Sequence, residues 1–279
     1  MRDGCLVADG YVHIFPRETL RGGRVLHHPA GRLVEQMDLH GVDLSLVIAR
    51  PEGVGVFDDV VRAHDDVAEA TTAHPDRLAG AAWVAPRHGE RGREELARRL
   101  ASGAFEAVVL HPEQEQFNLD DTELDAAIAI AQAHGAPVVA HTSLATRGAE
   151  PWRLVRLARR FPSVSFVLSH LGGDGGMLQS LEAAKIAGRA PNILVDGSET
   201  VTDPFATYLG PALLLGPERV VFASGEPVHQ LALGLLKMDL LEFEDDWRRL
   251  ILGGNLLRIL GRGDAPTAGP ATLATATGE

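Results

Sequence analysis

Histidine and carboxylate side chains recur in this sequence directly after short apolar segments. Imidazole and carboxyl groups have pKa values that their surroundings can tune, so they serve both general acid–base catalysis and the binding of divalent metal ions. One histidine behind an apolar segment is most often a hydrogen-bonded structural residue, whereas several at matching positions indicate a shared site. The residues at these positions, together with one tyrosine, are Tyr11, His13, His111, His141, His170, Asp196 and Glu226.

Six of eight apolar segments carry these residues, and each of the eight is continuously apolar rather than alternating with polar residues. This pattern is typical of strands that are buried on both faces of a parallel sheet. Their starts lie roughly 30 residues apart, which is the length of one strand–helix unit. The predicted strands cover residues 5–15, 44–51, 78–86, 107–112, 136–143, 165–172, 193–199 and 219–227.

Polar segments with apolar residues at helical spacing separate the strands, and the clearest covers residues 121–135. Asp121 suits the start of a helix, and Gly135 suits its end. Eight strands alternating with helices predict the α/β class and a closed (β/α)₈ TIM barrel. An open doubly wound sheet is the alternative, but no glycine-rich dinucleotide-binding motif follows the first strand. Further helices are predicted over residues 64–75, 93–103 and 151–161.

The predicted barrel occupies residues 1–262 as one domain, because such barrels need about 250 residues. After Gly263 the composition changes to Ala, Thr, Gly and Pro. We therefore expect residues 263–279 to form a disordered tail. In a barrel of this kind the carboxyl ends of all strands meet at one face, so we expect the polar side chains to converge there.

The net charge is −12, from 26 Lys and Arg against 38 Asp and Glu. A general nucleic-acid-binding protein needs an excess of cations, so we expect no nucleic-acid partner. No apolar segment approaches the ~20 residues that span a bilayer, and the N-terminus lacks a signal-peptide pattern. We expect a cytoplasmic protein with no membrane contact. The single cysteine, Cys5, rules out an internal disulfide.

Taken in order, these segments resemble the amidohydrolase superfamily, in the branch related to aminocarboxymuconate semialdehyde decarboxylase. The resemblance is carried by Asp9-Gly10-Tyr11-Val12-His13, APVVAHTS (136–143), FVLSHLGG (166–173) and GPERVVFASGEP (216–227). It implies an amidohydrolase-like barrel, and a hydrolase or decarboxylase acting on a small organic acid, lactone or related carbonyl compound. It also implies a homodimer, a common assembly in that family.

Two positions depart from the pattern that the resemblance implies, and both bear on metal binding. The family has a histidine where this chain has Tyr11, and an aspartate where it has Gly225. The implied ligands that remain are His13 and His141, whereas a catalytic zinc site normally uses three protein ligands. Glu226 is a candidate third ligand, although neighbouring residues of a strand point to opposite faces.

Three hypotheses follow for the chemistry. In the first, His13, His141 and Glu226 hold one weakly bound zinc or manganese ion. In the second, no metal is bound, and His141, His170 and Glu226 exchange protons with the substrate. Tyr11 then donates a hydrogen bond to a developing oxyanion. In the third, the barrel is catalytically inactive and binds a ligand.

We expect low metal occupancy and activity that survives chelation, because two histidines compete weakly with water for an ion. His111 and Asp196 are predicted to contact a small-molecule substrate, since each ends a strand at the expected site. Arg17 follows the first strand and is predicted to bind a substrate carboxylate. Non-catalytic roles are expected for the histidines on helices or at their ends, which are His40, His64, His74 and His134.

Overall fold

A computed structural model of the chain describes residues 4–21, 24–173, 176–200 and 203–263. Within them, nine strands form one hydrogen-bonded sheet. The strands are β1 (Ala8–Arg21), β2 (Arg24–His28), β3 (Leu44–Ala49), β4 (Leu78–Trp83), β5 (Phe105–Leu110), β6 (Val138–His141), β7 (Phe166–Ser169), β8 (Ile193–Asp196) and β9 (Val220–Val221). Their order in the sheet is β2-β1-β3-β4-β5-β6-β7-β8-β9.

Backbone hydrogen bonds close this sheet into a barrel. All neighbouring pairs from β1–β3 to β8–β9 are parallel. The segment after β9 returns to β1: the N–H of Gly10 donates to the carbonyl of Phe222 at 2.9 Å, and the N–H of Gly225 donates to that of Tyr11 at 3.0 Å. The predicted barrel is therefore confirmed. An antiparallel hairpin between β1 and β2 is an addition that the apolar pattern did not predict.

Helices follow most of the strands, and the four predicted from helical spacing are present with shifted ends. Short 3₁₀ turns cover Pro86–His88, Thr122–Leu124, His170–Gly172 and Pro217–Arg219, and π-helical turns cover Phe205–Leu209 and Leu250–Gly254. The helices are α1 (Ala30–His40), α2 (Phe57–Ala73), α3 (Gly89–Ala101), α4 (Pro112–Glu115), α5 (Asp125–Ala133), α6 (Pro151–Arg160), α7 (Gly176–Ala187), α8 (Gly210–Leu215), α9 (Leu231–Asp239), α10 (Asp245–Arg249) and α11 (Asn255–Ile259).

Alternate strand residues face two separate apolar cores, as the geometry of a strand requires. In β3, Leu46 packs inside the barrel, whereas Val47 packs against the surrounding helices. In the closing segment, Ala223 lies inside and Phe222 lies outside. By the same alternation, the position of Gly225 faces the inside of the barrel.

Among the described residues, no helix is both long and apolar enough to cross a membrane. Residues 264–279 lie outside the described residues, so the disordered tail stays a prediction. The assignment of residues 1–262 to one domain is likewise a proposal.

Candidate active site

Five aromatic and imidazole rings meet at the carboxyl ends of the barrel strands. Tyr11 and His13 belong to β1, His111 follows β5, His141 ends β6 and His170 follows β7. Ring centroids lie 4.0 Å apart for His111 and His141, and 4.6 Å apart for His141 and His170. Tyr11 lies 4.7 Å from His170 and 5.2 Å from His13. The structure thus brings these five predicted residues into one cluster.

His170 has a fixed orientation and a defined proton position. Its Nδ1 lies 3.1 Å from the carbonyl oxygen of Ser198 and 2.9 Å from the Ser198 hydroxyl. A carbonyl only accepts hydrogen bonds, so Nδ1 carries the proton and the neutral ring keeps its lone pair on Nε2. That Nε2 is shielded from solvent and has no hydrogen-bond partner among the described residues. A buried nitrogen of this kind is suited to exchange a proton with a substrate.

Asp196 supports His170 from the end of β8. Its Oδ1 accepts hydrogen bonds from the backbone N–H of His170 at 3.2 Å and of Ser198 at 2.9 Å, and a further one from the Ser198 hydroxyl. A chain of hydrogen bonds therefore runs from Asp196 through Ser198 to the His170 ring. Asp196 thus positions His170 through Oδ1, while its Oδ2 has no hydrogen-bond partner among the described residues, and the substrate contact of Asp196 stays a prediction.

The neutral His111 ring carries its proton on Nε2, whereas the neutral His170 ring carries it on Nδ1. The backbone N–H of Gln114 donates to His111 Nδ1 at 3.3 Å, so the neutral ring carries its proton on Nε2. The ring stacks on Trp83, with centroids 5.5 Å apart. The indole N–H of Trp83 donates to Glu115 at 3.2 Å, and burial raises the pKa of that carboxyl group. Nε2 of His111 is thus a hydrogen-bond donor, in the same cluster as the lone pair on Nε2 of His170.

His141 stands between these two rings in its neutral form. Burial lowers the pKa of His141 well below its usual value, and the neighbouring His111 and His170 lower it further, while Glu199 opposes them. Its Nδ1 is shielded from solvent, with no hydrogen-bond partner in the described part of the chain. We therefore expect a neutral imidazole here at pH 7.

Glu199 is a site residue that the sequence analysis missed. It follows β8, and its Oε1 lies 3.6 Å from Nε2 of His13. The residue ends the apolar segment 193–199, so its position along the chain was a usable signal. What the sequence does not reveal is the backbone φ of 54°, which is needed for the side chain to reach His13.

Glu226 lies on the outer side of the barrel wall. Its Oε2 accepts a hydrogen bond from the backbone N–H of Leu231 at 2.8 Å, at the start of α9, and its Oε1 lies 3.7 Å from Nε2 of His28. Both side chains line a cavity of about 480 Å³ between β2 and α9. Burial raises the pKa of Glu226. The structure therefore does not assemble His13, His141 and Glu226 into one ligand set, and the catalytic role of Glu226 stays a prediction.

Arg17 also lies apart from the cluster. It forms ion pairs with Asp66 at 2.5 Å and with Glu52 at 3.5 Å, and half of its side chain is exposed. Arg50, at the end of β3, is the guanidinium that approaches the site. It donates to Gln114 Oε1 at 2.8 Å, and its charge contributes to lowering the pKa of His141. The sequence analysis assigned the carboxylate-binding guanidinium to Arg17 and did not consider Arg50.

The donor set was tested for a divalent metal ion. A phenol is a poor metal ligand unless it is deprotonated, and Gly225 offers no side chain, so the implied ligand positions 11 and 225 lack a strong donor. Within the described ranges, no group of three or more His, Cys, Asp or Glu side chains is arranged to hold a metal ion. The residues present do not fit such an ion.

These features define a class of protein: a parallel barrel with acid–base side chains gathered at the carboxyl ends of its strands. The amidohydrolase family model matches residues 28–262, and the chain belongs to that family. The resemblance inferred from the sequence is thereby confirmed. Membership of this family also confirms the prediction that the protein is a hydrolase or decarboxylase.

Solved structures with the same fold include three decarboxylases. 5-Carboxyvanillate decarboxylase LigW from Sphingomonas paucimobilis has a TM-score of 0.73 at 19% identity, over 92% of this chain and 99% of that one. The enzyme of the same name from Novosphingobium aromaticivorans, complexed with manganese and 4-hydroxy-3-methoxy-5-nitrobenzoic acid, has a TM-score of 0.74 at 16% identity, over 93% and 97%. 2,6-Dihydroxybenzoate decarboxylase from Rhizobium has a TM-score of 0.72 at 15% identity, over 92% and 98%. Among curated protein sequences, none matches this chain significantly.

Proposed function

We propose that the protein is an acid–base enzyme that decarboxylates a small aromatic carboxylic acid at the carboxyl end of the barrel. The observation that carries this proposal is the His170 ring, which has one nitrogen fixed by Ser198 and the other open and buried. The open nitrogen lies in a cluster with Tyr11 and His141, whose rings are 4.7 Å and 4.6 Å away.

Decarboxylation replaces a carbon–carbon bond by a carbon–hydrogen bond. Carbon dioxide leaves, the electron pair of the broken bond stays on the ring carbon, and that carbon takes up a proton. His170 Nε2 delivers this proton after taking one from water, and the Asp196–Ser198 chain holds the ring in place throughout. General acid–base catalysis of this kind contributes roughly 10²–10⁴-fold to a rate.

The surroundings of His170 suit a flat, negatively charged substrate. Tyr11, His111 and His141 provide aromatic faces. Arg50 is held by Gln114 at 2.8 Å and provides a guanidinium for a carboxylate. Three structural neighbours are named as decarboxylases of 5-carboxyvanillate or 2,6-dihydroxybenzoate, which are hydroxylated aromatic acids and support this substrate class.

A substrate panel tests the proposal. Purified protein is incubated with benzoates that carry ring hydroxyl groups, and ¹³C NMR follows the loss of a labelled carboxyl carbon as carbon dioxide. We expect turnover by the wild type and almost none by His170→Gln. Turnover that is equal in both proteins would contradict the assignment of His170.

The alternative is a barrel that binds a ligand without catalysis, and hydrolysis of a lactone is a second reaction that the same groups support. The panel therefore includes lactones, with pH-stat detection of released acid. If a ligand binds equally well to the wild type, His141→Asn and His170→Asn, and no protein turns it over, the enzyme proposal is wrong.

We further propose that the protein acts in the cytoplasm as a homodimer and binds neither nucleic acid nor membrane. The excess of acidic residues supports the absence of nucleic-acid binding. Exposed leucines on two helices that pack together support self-association, since apolar patches often mark interfaces. They are Leu39 of α1, Leu233 and Leu236 of α9, and Leu240 directly after α9. Light scattering after size-exclusion chromatography measures the oligomeric state.

A further inference from the structure

We propose that a direct contact between the His13 ring and the Glu199 carboxylate takes the place of a divalent cation in this barrel. The centre then excludes Mn²⁺ and Zn²⁺ instead of binding them weakly. The proposal concerns how the site is built, and it stands whether or not the proposed decarboxylation is correct.

Glu199 reaches the site through an uncommon backbone conformation. Its φ is 54°, in the left-handed region that residues other than glycine rarely adopt and that costs about 1 kcal/mol. In this conformation its carboxylate oxygen lies 3.6 Å from Nε2 of His13. Only 16% of the Glu199 side chain is exposed, against 2% for His13. Both side chains of this contact are therefore largely sheltered from solvent.

The side chain of Glu199 uses space that only a glycine at position 225 leaves open. A Cβ atom built on Gly225 would lie 2.6 Å from Cγ of Glu199 and 2.9 Å from its backbone nitrogen. Both distances are shorter than real Cβ contacts allow, so a side chain at 225 and the present position of Glu199 exclude each other. The carboxylate of this centre thus comes from the loop after β8 rather than from the closing strand.

Both neighbours of Glu199 are anchored, which holds its strained backbone in place. Ser198 donates to Asp196 on one side. On the other side, the ammonium group of Lys237 donates to the carbonyl of Thr200 at 2.6 Å and to its hydroxyl at 3.2 Å. Lys237 belongs to α9, so this loop is tied to the outer helix layer. A conformation fixed from both sides is typical of a functional position.

The pair leaves too few donors for a cation. A catalytic zinc site uses three protein ligands and one open position, with nitrogen or oxygen about 2.0–2.2 Å from the ion. To bind an ion, His13 and Glu199 would have to share it with a third donor. The described residues provide no such group of three. An ion that contacts only His13 and Glu199 therefore gains too few ligands to be held between them.

Metal retention by the folded protein tests this inference without a substrate. Wild type purified without added metal is incubated with MnCl₂ or ZnCl₂, desalted and analysed by elemental mass spectrometry, and its melting temperature is recorded with and without metal. We expect less than about 0.1 ion per chain and a melting temperature that shifts by less than about 1 °C, because a ligand that does not bind cannot stabilise the fold. Retention of about one ion per chain that is lost in both His13→Asn and Glu199→Gln would overturn the proposal.

A second experiment moves the carboxylate from position 199 to position 225 and asks whether metal binding appears. The double variant Glu199→Gly with Gly225→Asp returns the acid to the closing strand and frees His13. It removes the Cγ atom that lies 2.6 Å from a Cβ at 225, and a glycine at 199 lets the backbone nitrogen, 2.9 Å away, shift. Asp tolerates the φ of 79° at this position better than most residues. We expect this variant to retain about one ion per chain. If it folds but retains as little metal as the wild type, the placement of Glu199 is not what excludes the ion, and the proposal fails.

Matched controls separate this site from adventitious binding. Glu113→Gln removes an exposed carboxylate at the same end of the barrel, and we expect it to behave as the wild type does. Metal retained equally by the wild type, His13→Asn and Glu199→Gln is bound elsewhere and leaves the proposal standing. If the double variant does not fold, the wild type and the two single variants still decide the outcome.

Discussion

Two buried histidines in different parts of this molecule show what separates a structural imidazole from a chemical one. His64 lies on α2, and both of its nitrogens are used: Nδ1 lies 2.9 Å from Glu95, and Nε2 accepts the backbone N–H of Trp83 at 2.8 Å. Glu95 is in turn bonded by Arg98 and Arg99, each at 2.6 Å. This network holds α2 and α3 against β4, and it leaves no nitrogen available for exchange.

His170 is also buried but uses only one of its nitrogens. Ser198 takes Nδ1, and Nε2 has no hydrogen-bond partner among the described residues. Leaving a buried polar atom unsatisfied costs about 1–3 kcal/mol, a cost that a substrate hydrogen-bonded to Nε2 would remove. The φ of 66° at His170 adds to that cost. Burial alone therefore says little about function; the state of the second nitrogen separates the two histidines.

Replacing His170 tests one side of this comparison and carries the largest expected effect. We expect His170→Gln to lower kcat/KM on the substrate found in the panel by about 10³-fold, because the proton donor is lost. The melting temperature should change by less than about 3 °C. A loss of less than about 5-fold would show that the open nitrogen takes no part in the reaction.

His64 should respond in the opposite way. We expect His64→Leu to lower the free energy of unfolding by about 3 kcal/mol, since it leaves the Trp83 N–H unsatisfied and removes a partner of Glu95. Urea unfolding measures this change. The kcat per folded molecule should stay within about 2-fold of wild type. A large loss of kcat with unchanged stability would reverse the roles that we assign to the two histidines.

His28 sharpens the comparison, because its Nε2 is also without a hydrogen-bond partner among the described residues, yet it lies outside the barrel. Burial lowers the pKa of His28 to about 4, with a smaller effect of Arg32. The unfolded chain binds a proton near pH 6.5 and the folded chain only near pH 4, so this contribution to stability is present above pH 6.5 and lost as the pH falls towards 4.

The free energy of unfolding should therefore fall between pH 7 and pH 4.5 in both proteins. We expect the fall to be smaller in His28→Asn than in the wild type, by up to about 2 kcal/mol. Urea unfolding at several pH values measures the difference. Equal acid sensitivity in both proteins would show that His28 is not held neutral by burial.

Ser198 carries the smallest of these effects. Ser198→Ala removes the hydroxyl between Asp196 and His170 but keeps the backbone carbonyl that fixes Nδ1. We expect kcat/KM to fall about 10-fold, in keeping with about 1.4 kcal/mol for one hydrogen bond to a charged group. A loss as large as that of His170→Gln would mean that the hydroxyl, rather than the carbonyl, orients the ring.

Much of this site was predictable from the sequence, because the strand ends of a parallel barrel converge on one face. His13, His141 and His170 could be placed together from their positions behind apolar segments. Strand alternation also cast correct doubt on Glu226, which the structure places outside the barrel wall. The role of Glu199 could not be predicted, because it depends on a left-handed φ and on space at Gly225, 26 residues away. The ion pair of Arg17 with Asp66 of α2 is likewise a contact that strand position does not show, and substrate binding by Arg17 stays a prediction.

The protonation of the His170 ring tests the central claim most directly, and it needs no substrate. ¹H–¹⁵N correlation spectra of the histidine rings distinguish the two neutral tautomers, and His170→Gln identifies the signal. We expect the neutral His170 ring to carry its proton on Nδ1, bonded to Ser198, and to leave Nε2 as an open acceptor. A ring that carries its proton on Nε2 would contradict the proposed role, because the nitrogen facing the cluster would then have no lone pair to exchange a proton.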